Sequence, residues 1–257
     1  MAYALVTGAS SGIGYAYAEA LAQRGYNLVI VSNEAEELAE KERLLQERYP
    51  TIVVRSLLQD LGHSYSAREV YNWCKDGNVD VEVLVNNAGV YHDRDYLDDS
   101  ETFNQLILQL HVTTPSMLTY YFGQDMKARG RGYILNMSSV TSNFAAQRLA
   151  TYSATKGYLR FFSRSTHIEL KQHGINVCCV RPGAVATGLY NLRPSALRWG
   201  LRLGYIITPQ ALAQKGLRAL FRGKAEVTPG LSTKALEVVV RLIPTCLLRF
   251  IRRRGWF

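Results

Sequence analysis

The sequence predicts an α/β domain, with one doubly wound parallel sheet of about seven strands and helices on both faces. Three observations predict it. Short apolar runs alternate with amphipathic stretches along the chain. The first apolar run leads through a glycine-rich turn directly into helical periodicity. The chain has 257 residues, 47% hydrophobic and 20% charged, enough for one large core.

The elements follow in order. "YALV" is a short apolar run, as a strand buried on both faces should be. After the turn, Ala16, Ala20 and Leu21 repeat at helical spacing, and "LVIVS" is a second buried strand. Parallel strands need such a crossover, so this is a βαβ unit. "AEELAEKERLLQERY" is a charged amphipathic helix and "TIVVRSLL" the third strand. "SAREVYNWCK" is helical, and "VEVLVNNAG" is a strand ending in a polar turn. A long helix over about 101–129 contains Pro115, which should kink or break it. "GYILNMSS" is the fifth strand, a helix runs from about Thr151 to Gln172, and "INVCCVRPG" is the sixth strand. Residues 190–222 read as helical around "TPQALAQKGLRALF", with Thr208 as N-cap and Pro209 at the first helical position. "AEVTPG" holds a last short strand. No repeat or low-complexity linker interrupts this alternation, so one domain is expected over 1–257.

Composition narrows the function classes. Seven prolines and 20 glycines argue against disorder. Cys74, Cys178, Cys179 and Cys246 form no CxxC pair and no metal spacing, a reduced, cytoplasmic pattern with no metal expected. The first strand begins too early to leave room for a signal peptide, and no apolar run reaches the length of a membrane span. The net charge of +9 is uneven: residues 193–257 carry 13 Lys or Arg against Glu226 and Glu237 alone. Such asymmetry suits an anionic partner.

Thr7-Gly8-Ala9-Ser10-Ser11-Gly12-Ile13-Gly14 follows the first strand and opens the first helix. Glycines permit positive φ and close backbone approach, and the helix N-terminus offers free N–H groups to a pyrophosphate. "TYSATKG" places Tyr152 and Lys156 four residues apart, on one helix face. A nearby ammonium favours phenolate, which suits a tyrosine to proton transfer. Alone, the pair reads more readily as a packed tyrosine beside a solvated lysine, a spacing common by chance in helices.

The spacing Gly-x3-Gly-x-Gly together with Tyr152-x3-Lys156 resembles the short-chain dehydrogenase/reductase superfamily. The resemblance extends over nearly the whole chain. It implies that Asp60 and Leu61 flank the adenine and that Asn87, Ala88 and Gly89 form the family's NNAG turn with Asn86. It implies that Ser139, thirteen residues before Tyr152, is the catalytic serine. Pro182, Gly183, Val185 and Thr187 would hold the nicotinamide carboxamide. Lys156 would also hold the nicotinamide ribose. The family's helix asparagine is replaced by His111 in "ILQLHVTTPSMLT". In the family, this position's backbone carbonyl holds a relay water. A packed histidine is the expectation, and a titrating one the alternative.

NAD-selective members carry an acid at the end of the second strand, where this chain has Ser32 and then Asn33. With Ser11, these could bond a 2′-phosphate, so NADP(H) is expected, with NAD(H) the alternative. Leu189, Tyr190, Leu192, Leu197, Trp199, Leu201 and Leu203 suggest an apolar substrate flap at about 188–224, and Tyr91 a further pocket residue. A hydrophobic carbonyl or alcohol is the expected substrate. A basic amphipathic extension at about 231–257, ending in Trp256 and Phe257, suits peripheral contact with a membrane surface or packing on its own domain. No nucleic-acid recognition motif is present. The resemblance further implies a homodimer or homotetramer. The rival functions are a catalytically inactive dinucleotide-binding regulator, an NAD-dependent dehydrogenase of a small polar alcohol, and a membrane-surface adaptor.

Overall fold

A computed structural model of the chain describes residues 2–187 and 194–241. Leu189, Tyr190 and Leu192 of the predicted flap lie outside the described residues, as do residues 242–257 of the predicted extension. Among the described residues, the sheet has seven parallel strands in the order β3-β2-β1-β4-β5-β6-β9. They are β1 (Tyr3–Thr7), β2 (Asn27–Ser32), β3 (Val54–Leu58), β4 (Val81–Asn86), β5 (Gly132–Met137), β6 (Ile175–Val180) and β9 (Glu226–Val227). Every residue of β1 and of β2 is buried, as covering layers on both faces require. Helices α1 (Gly12–Ala22), α2 (Ala35–Arg48) and α8 (Pro209–Phe221) cover one face. Helices α3 (Ser66–Asp76), α5 (Thr114–Arg129) and α6 (Ala150–Lys171) cover the other. Strand order reverses between β1 and β4, and the crevice above the carboxyl ends of those strands is where such sheets bind ligands.

The helix expected over 101–129 is broken. α4 (Glu101–Leu108) ends in a π-helical turn, Gln109–Thr113, and α5 begins with Pro115 in its first turn. Proline lacks an N–H, and its ring crowds the carbonyl four residues earlier. The wider π turn accommodates both, and it carries His111.

The stretch 190–222 is not one helical block. α7 (Pro194–Arg202) stops where Gly204 takes φ +74°. Ile206–Ile207 (β8) then pairs with Ala184–Val185 (β7), a two-stranded sheet that was not anticipated. Thr208 caps α8 as expected, accepting the Ala211 N–H. The last helix among the described residues, α9 (Leu231–Arg241), is the described part of the basic extension. Among the described residues, no helix is long and apolar enough to cross a membrane.

Helix α6 is held by polar bonds as well as packing. Asn86 Nδ2 donates to Asn136 Oδ1 at 2.8 Å, and Asn136 Nδ2 donates to Ser163 Oγ at 2.9 Å. Ser138 Oγ donates to the Lys156 carbonyl at 2.7 Å. These bonds register the tyrosine- and lysine-bearing turns of α6 against β4 and β5.

Tyr17 of α1 is fully buried, and its hydroxyl has no hydrogen-bond partner among the described residues. Gly216 of α8 faces that hydroxyl so closely that a Cβ there would collide with it. A buried hydroxyl without a partner destabilises, so Tyr17→Phe is expected to stabilise by about 1 kcal/mol, raising the melting temperature by about 2–4 °C. A lower melting temperature by thermal circular dichroism would mean that the hydroxyl is bonded.

Candidate active site

The glycine turn is shaped for close approach. Gly8 and Gly12 have φ of +64° and +55°. A Cβ on Gly8 would fall 2.9 Å from Ala88 Cα, and a Cβ on Gly14 would collide with the Gly8 carbonyl. Asn87 locks the turn: its Nδ2 donates to the Thr7 and Gly8 carbonyls at 3.0 and 3.2 Å. Thr7 Oγ1 accepts the N–H groups of Asn87 and Ala88, both at 3.0 Å.

Above this turn opens a cavity of about 600 Å³. Gly8, Ser10, Ser11, Gly12, Ile13, Ser32, Asn33, Asp60, Leu61, Asn87, Ala88, Gly89, Pro182, Gly183, Val185 and Thr187 line it, and so do His111, Ser139, Tyr152 and Lys156. Gly14 is the exception, packed beneath the turn rather than facing the cavity. The bare cradle, the open helix N-terminus at Ser11 and the hydroxyls beside it fit a dinucleotide. The end of the cavity at β2 and β3 is polar: Ser32 Oγ donates to Ser10 Oγ at 3.0 Å, and Asp60 accepts the Gly62 N–H at 2.8 Å. Glu34 and Gln59 also line the cavity, and sequence reasoning missed both. Glu34 lies one residue past the pair weighed at the strand end. Its backbone N–H is held by Ser32 Oγ at 3.3 Å.

At the other end, Lys156 Nζ donates to the Met137 carbonyl at 3.0 Å and lies 5.5 Å from the Tyr152 ring centroid. Lys156 is 5% exposed, and burial pulls its pKa from 10.5 to about 8. Ser139 Oγ accepts from the Thr141 N–H at 3.2 Å and from the Thr141 hydroxyl at 3.1 Å. Both lone pairs are thus engaged, which leaves its own proton to donate. Tyr91 packs edge-on against the Tyr152 ring, with centroids 5.3 Å apart.

His111 is 1% exposed and bonded at both ring nitrogens. Nε2 accepts the Val90 N–H at 3.0 Å. Nδ1 lies 3.1 Å from Thr155 Oγ1, whose proton is already donated to the Tyr152 carbonyl at 2.8 Å. The histidine must therefore be the donor there, which assigns the neutral tautomer with its proton on Nδ1. Burial, and secondly the Lys156 charge, hold its pKa well below the ordinary value. A Cβ on Gly89 would fall 2.7 Å from His111 Nε2, so that glycine makes room for the ring. Asn104 bonds Thr151 and lies outside the cavity lining. Among the described residues, no cluster of His, Cys, Asp or Glu could hold a metal ion.

The fold and cavity define a dinucleotide-binding α/β domain with a serine, a tyrosine and a lysine at one end of the cleft. The chain belongs to the short chain dehydrogenase family, whose pattern matches residues 2–196. Members are NAD(P)-dependent oxidoreductases of carbonyls and alcohols. A very-long-chain 3-oxoacyl-CoA reductase-A of Danio rerio is 32% identical over 201 residues, which cover 76% of this chain and 61% of that protein. The match therefore spans about three fifths of that relative's length. A short-chain dehydrogenase from Sphingobium yanoikuyae, solved in complex with NADPH, is 25% identical with a TM-score of 0.80, over 95% of this chain and 97% of that one. A bulky-bulky ketone specific alcohol dehydrogenase from Comamonas testosteroni is also 25% identical, with a TM-score of 0.78 over 99% and 92%.

Two predictions follow from the buried pair. The folded-state pKa of Lys156, about 8, lies below the unfolded value of 10.5. The unfolded chain therefore binds this proton more tightly. The folded state carries a penalty that is complete below pH 8 and fades as pH rises to 10.5. Lys156→Met should melt several degrees above the wild type at pH 7, with the gap closing between pH 8 and 10.5; a lower melting temperature at pH 7 would contradict this. His111→Asn loses one of two bonds and should cost about 1–2 kcal/mol of stability. It should keep turnover within about tenfold of wild type, whereas Tyr152→Phe should lose about 10²–10⁴-fold. Equal losses would make the imidazole essential.

Proposed function

We propose that this chain reduces the carbonyl of a bulky hydrophobic substrate, with NADP(H) preferred over NAD(H). The observation that carries the reading is the convergence of Ser139, Tyr152 and Lys156 on the wall of the cavity that also holds the glycine cradle. The cradle, Asp60, Leu61, Asn87 and the segment from Pro182 to Thr187 would hold the dinucleotide, which supplies the hydride when bound. Ser139 donates its hydroxyl proton to the substrate oxygen and polarises it, as an oxyanion-hole donor does. Tyr152 gives that oxygen a proton in reduction and removes it in oxidation. Lys156, held by the Met137 carbonyl, keeps a positive charge beside the phenol and favours its ionised form. His111, neutral and doubly bonded, positions the Val90 backbone and the Thr155 turn of α6.

The activities of two similar proteins support the substrate class, a 3-oxoacyl-CoA reductase and a bulky-ketone dehydrogenase. Exposed Trp199, Leu203 and Tyr205 after β7 suit an apolar substrate as well. Ser10, Ser11, Ser32 and Asn33 at the adenosine end, and the NADPH in a similar structure, support the cofactor preference. Glu34 in the same lining works against a 2′-phosphate and favours some use of NAD(H).

The test is reduced-nicotinamide absorbance with NADPH and with NADH, against a long-chain 3-oxoacyl thioester, a bulky aryl ketone and a small polar ketone. NADPH oxidation by the first two and not the third is the expected outcome. Tyr152→Phe should lose that turnover while keeping its affinity for NADPH. NADPH binding without turnover on the whole panel would favour the non-catalytic regulator. Faster reaction of NADH with the small ketone would favour a polar-alcohol dehydrogenase.

A further inference from the structure

Away from the cleft, a second concavity of about 310 Å³ lies where α8, β9 and α9 meet. Five of the ten residues that line it are cations, and none is an acid. Lys215 and Arg218 project from one face of α8, and Arg222 caps its C-terminal end, at i, i+3 and i+7 spacing. Lys224 follows that helix, and Lys234 comes from α9. All five are exposed, while Ala219, Thr228 and Pro229 are buried in the wall. No ion pair joins any of the five to an acid among the described residues.

The neighbouring acids are committed elsewhere. Residues 193–257 contain two acidic side chains, Glu226 and Glu237. Glu226 pairs with Arg160 at 2.7 Å and Arg181 at 2.9 Å, and Glu237 pairs with Arg181 at 3.0 Å. Like charges gathered around a concavity repel, and a compact state that keeps them together gains from a bound counter-charge. Arginines favour phosphate through parallel N–H bonds, and lysines serve as point charges.

We propose that this pocket binds a ligand carrying two or three clustered phosphates. A phosphomonoester bears about −1.5 to −2 at neutral pH, so two or three of them balance five unit charges. The volume suits a headgroup rather than a whole dinucleotide, for which the first cavity is twice as large. The phosphates come either from a free phosphorylated metabolite or from the headgroup of a phosphorylated lipid.

Calorimetry on the full chain saturated with NADPH separates this pocket from the cleft. Inorganic triphosphate and inositol trisphosphate serve as soluble probes. Vesicles of phosphatidylcholine carrying phosphatidylinositol bisphosphate are compared with phosphatidylserine vesicles of equal charge. Binding should be at least about tenfold weaker in the double variant Arg218→Glu/Arg222→Glu. It should be unchanged in Lys127→Glu/Arg164→Glu, which removes the same charge elsewhere on the surface. Both variants change exposed residues, and matched melting curves confirm that each folds. Capture of bisphosphate vesicles through the same arginines assigns the lipid source, and binding of the soluble probes alone assigns the free one. Absence of binding to every probe, or equal weakening in both variants, overturns the proposal.

Discussion

A single ammonium buried in the wall of a cleft constrains the rest of this molecule. Lys156 has given up nearly all its water for one carbonyl of β5 and the face of a tyrosine ring. Removing a charge from water is unfavourable unless its partners are fixed, so the elements around it must not move. The structure supplies that rigidity twice. Ser138, at the end of β5, binds the lysine's own carbonyl, and Asn136, two residues earlier, reaches Ser163 two turns further along α6. Strand and helix are therefore pinned on either side of the charge. The same end of β5 delivers Ser139, so the proposed substrate donor and the ammonium's carbonyl partner share one strand.

The opposite wall is held by a second buried cation. Arg181, 4% exposed, closes β6 immediately before the Pro182-Gly183 turn. Its guanidinium bonds Thr228 after β9, Glu226 within β9 and Glu237 on α9. The Pro182 carbonyl accepts the Val140 N–H at 2.9 Å, joining this turn to the segment that follows Ser139. Thr233 of α9 stands so close to Gly183 that an added Cβ would fall 2.7 Å from its hydroxyl. A buried arginine with two carboxylates contributes more to geometry than to net stability, because desolvation offsets much of the attraction. Here the geometry served is the placement of the Pro182-Gly183 turn, which lines the cleft.

Much of this was legible in the sequence because it rests on residues with few substitutes. Positive φ and close backbone contact demand glycine, so Gly8, Gly12 and Gly14 mark the cradle. The helical period places Tyr152 and Lys156 on one face, and the order of motifs brings Asp60, Asn87 and Ser139 to the same sheet edge. What was illegible depends on contacts distant along the chain. Nothing local marks Gly89 as room for His111, 22 residues further along. Two-residue strands such as β7 and β8 are too short for periodicity to declare. Glu34 lies beyond the strand end, where only the course of the chain into α2 decides whether a side chain faces the cavity.

The basic extension changes meaning once α9 is seen in place. Charge pattern alone groups residues 231–257 as one appendage. Yet Thr233 packs on Gly183 and Glu237 pairs with Arg181, so residues 231–241 are part of the cleft's support. A truncation beginning at Lys234 would remove Glu237 and leave Arg181 with one carboxylate fewer in a buried setting, which is costly. Loss of activity in such a truncation would report on the Pro182-Gly183 turn rather than on a membrane-binding tail. A cut after Arg241 separates the two, because it keeps the Arg181–Glu237 pair while removing the aromatic terminus and its arginine run.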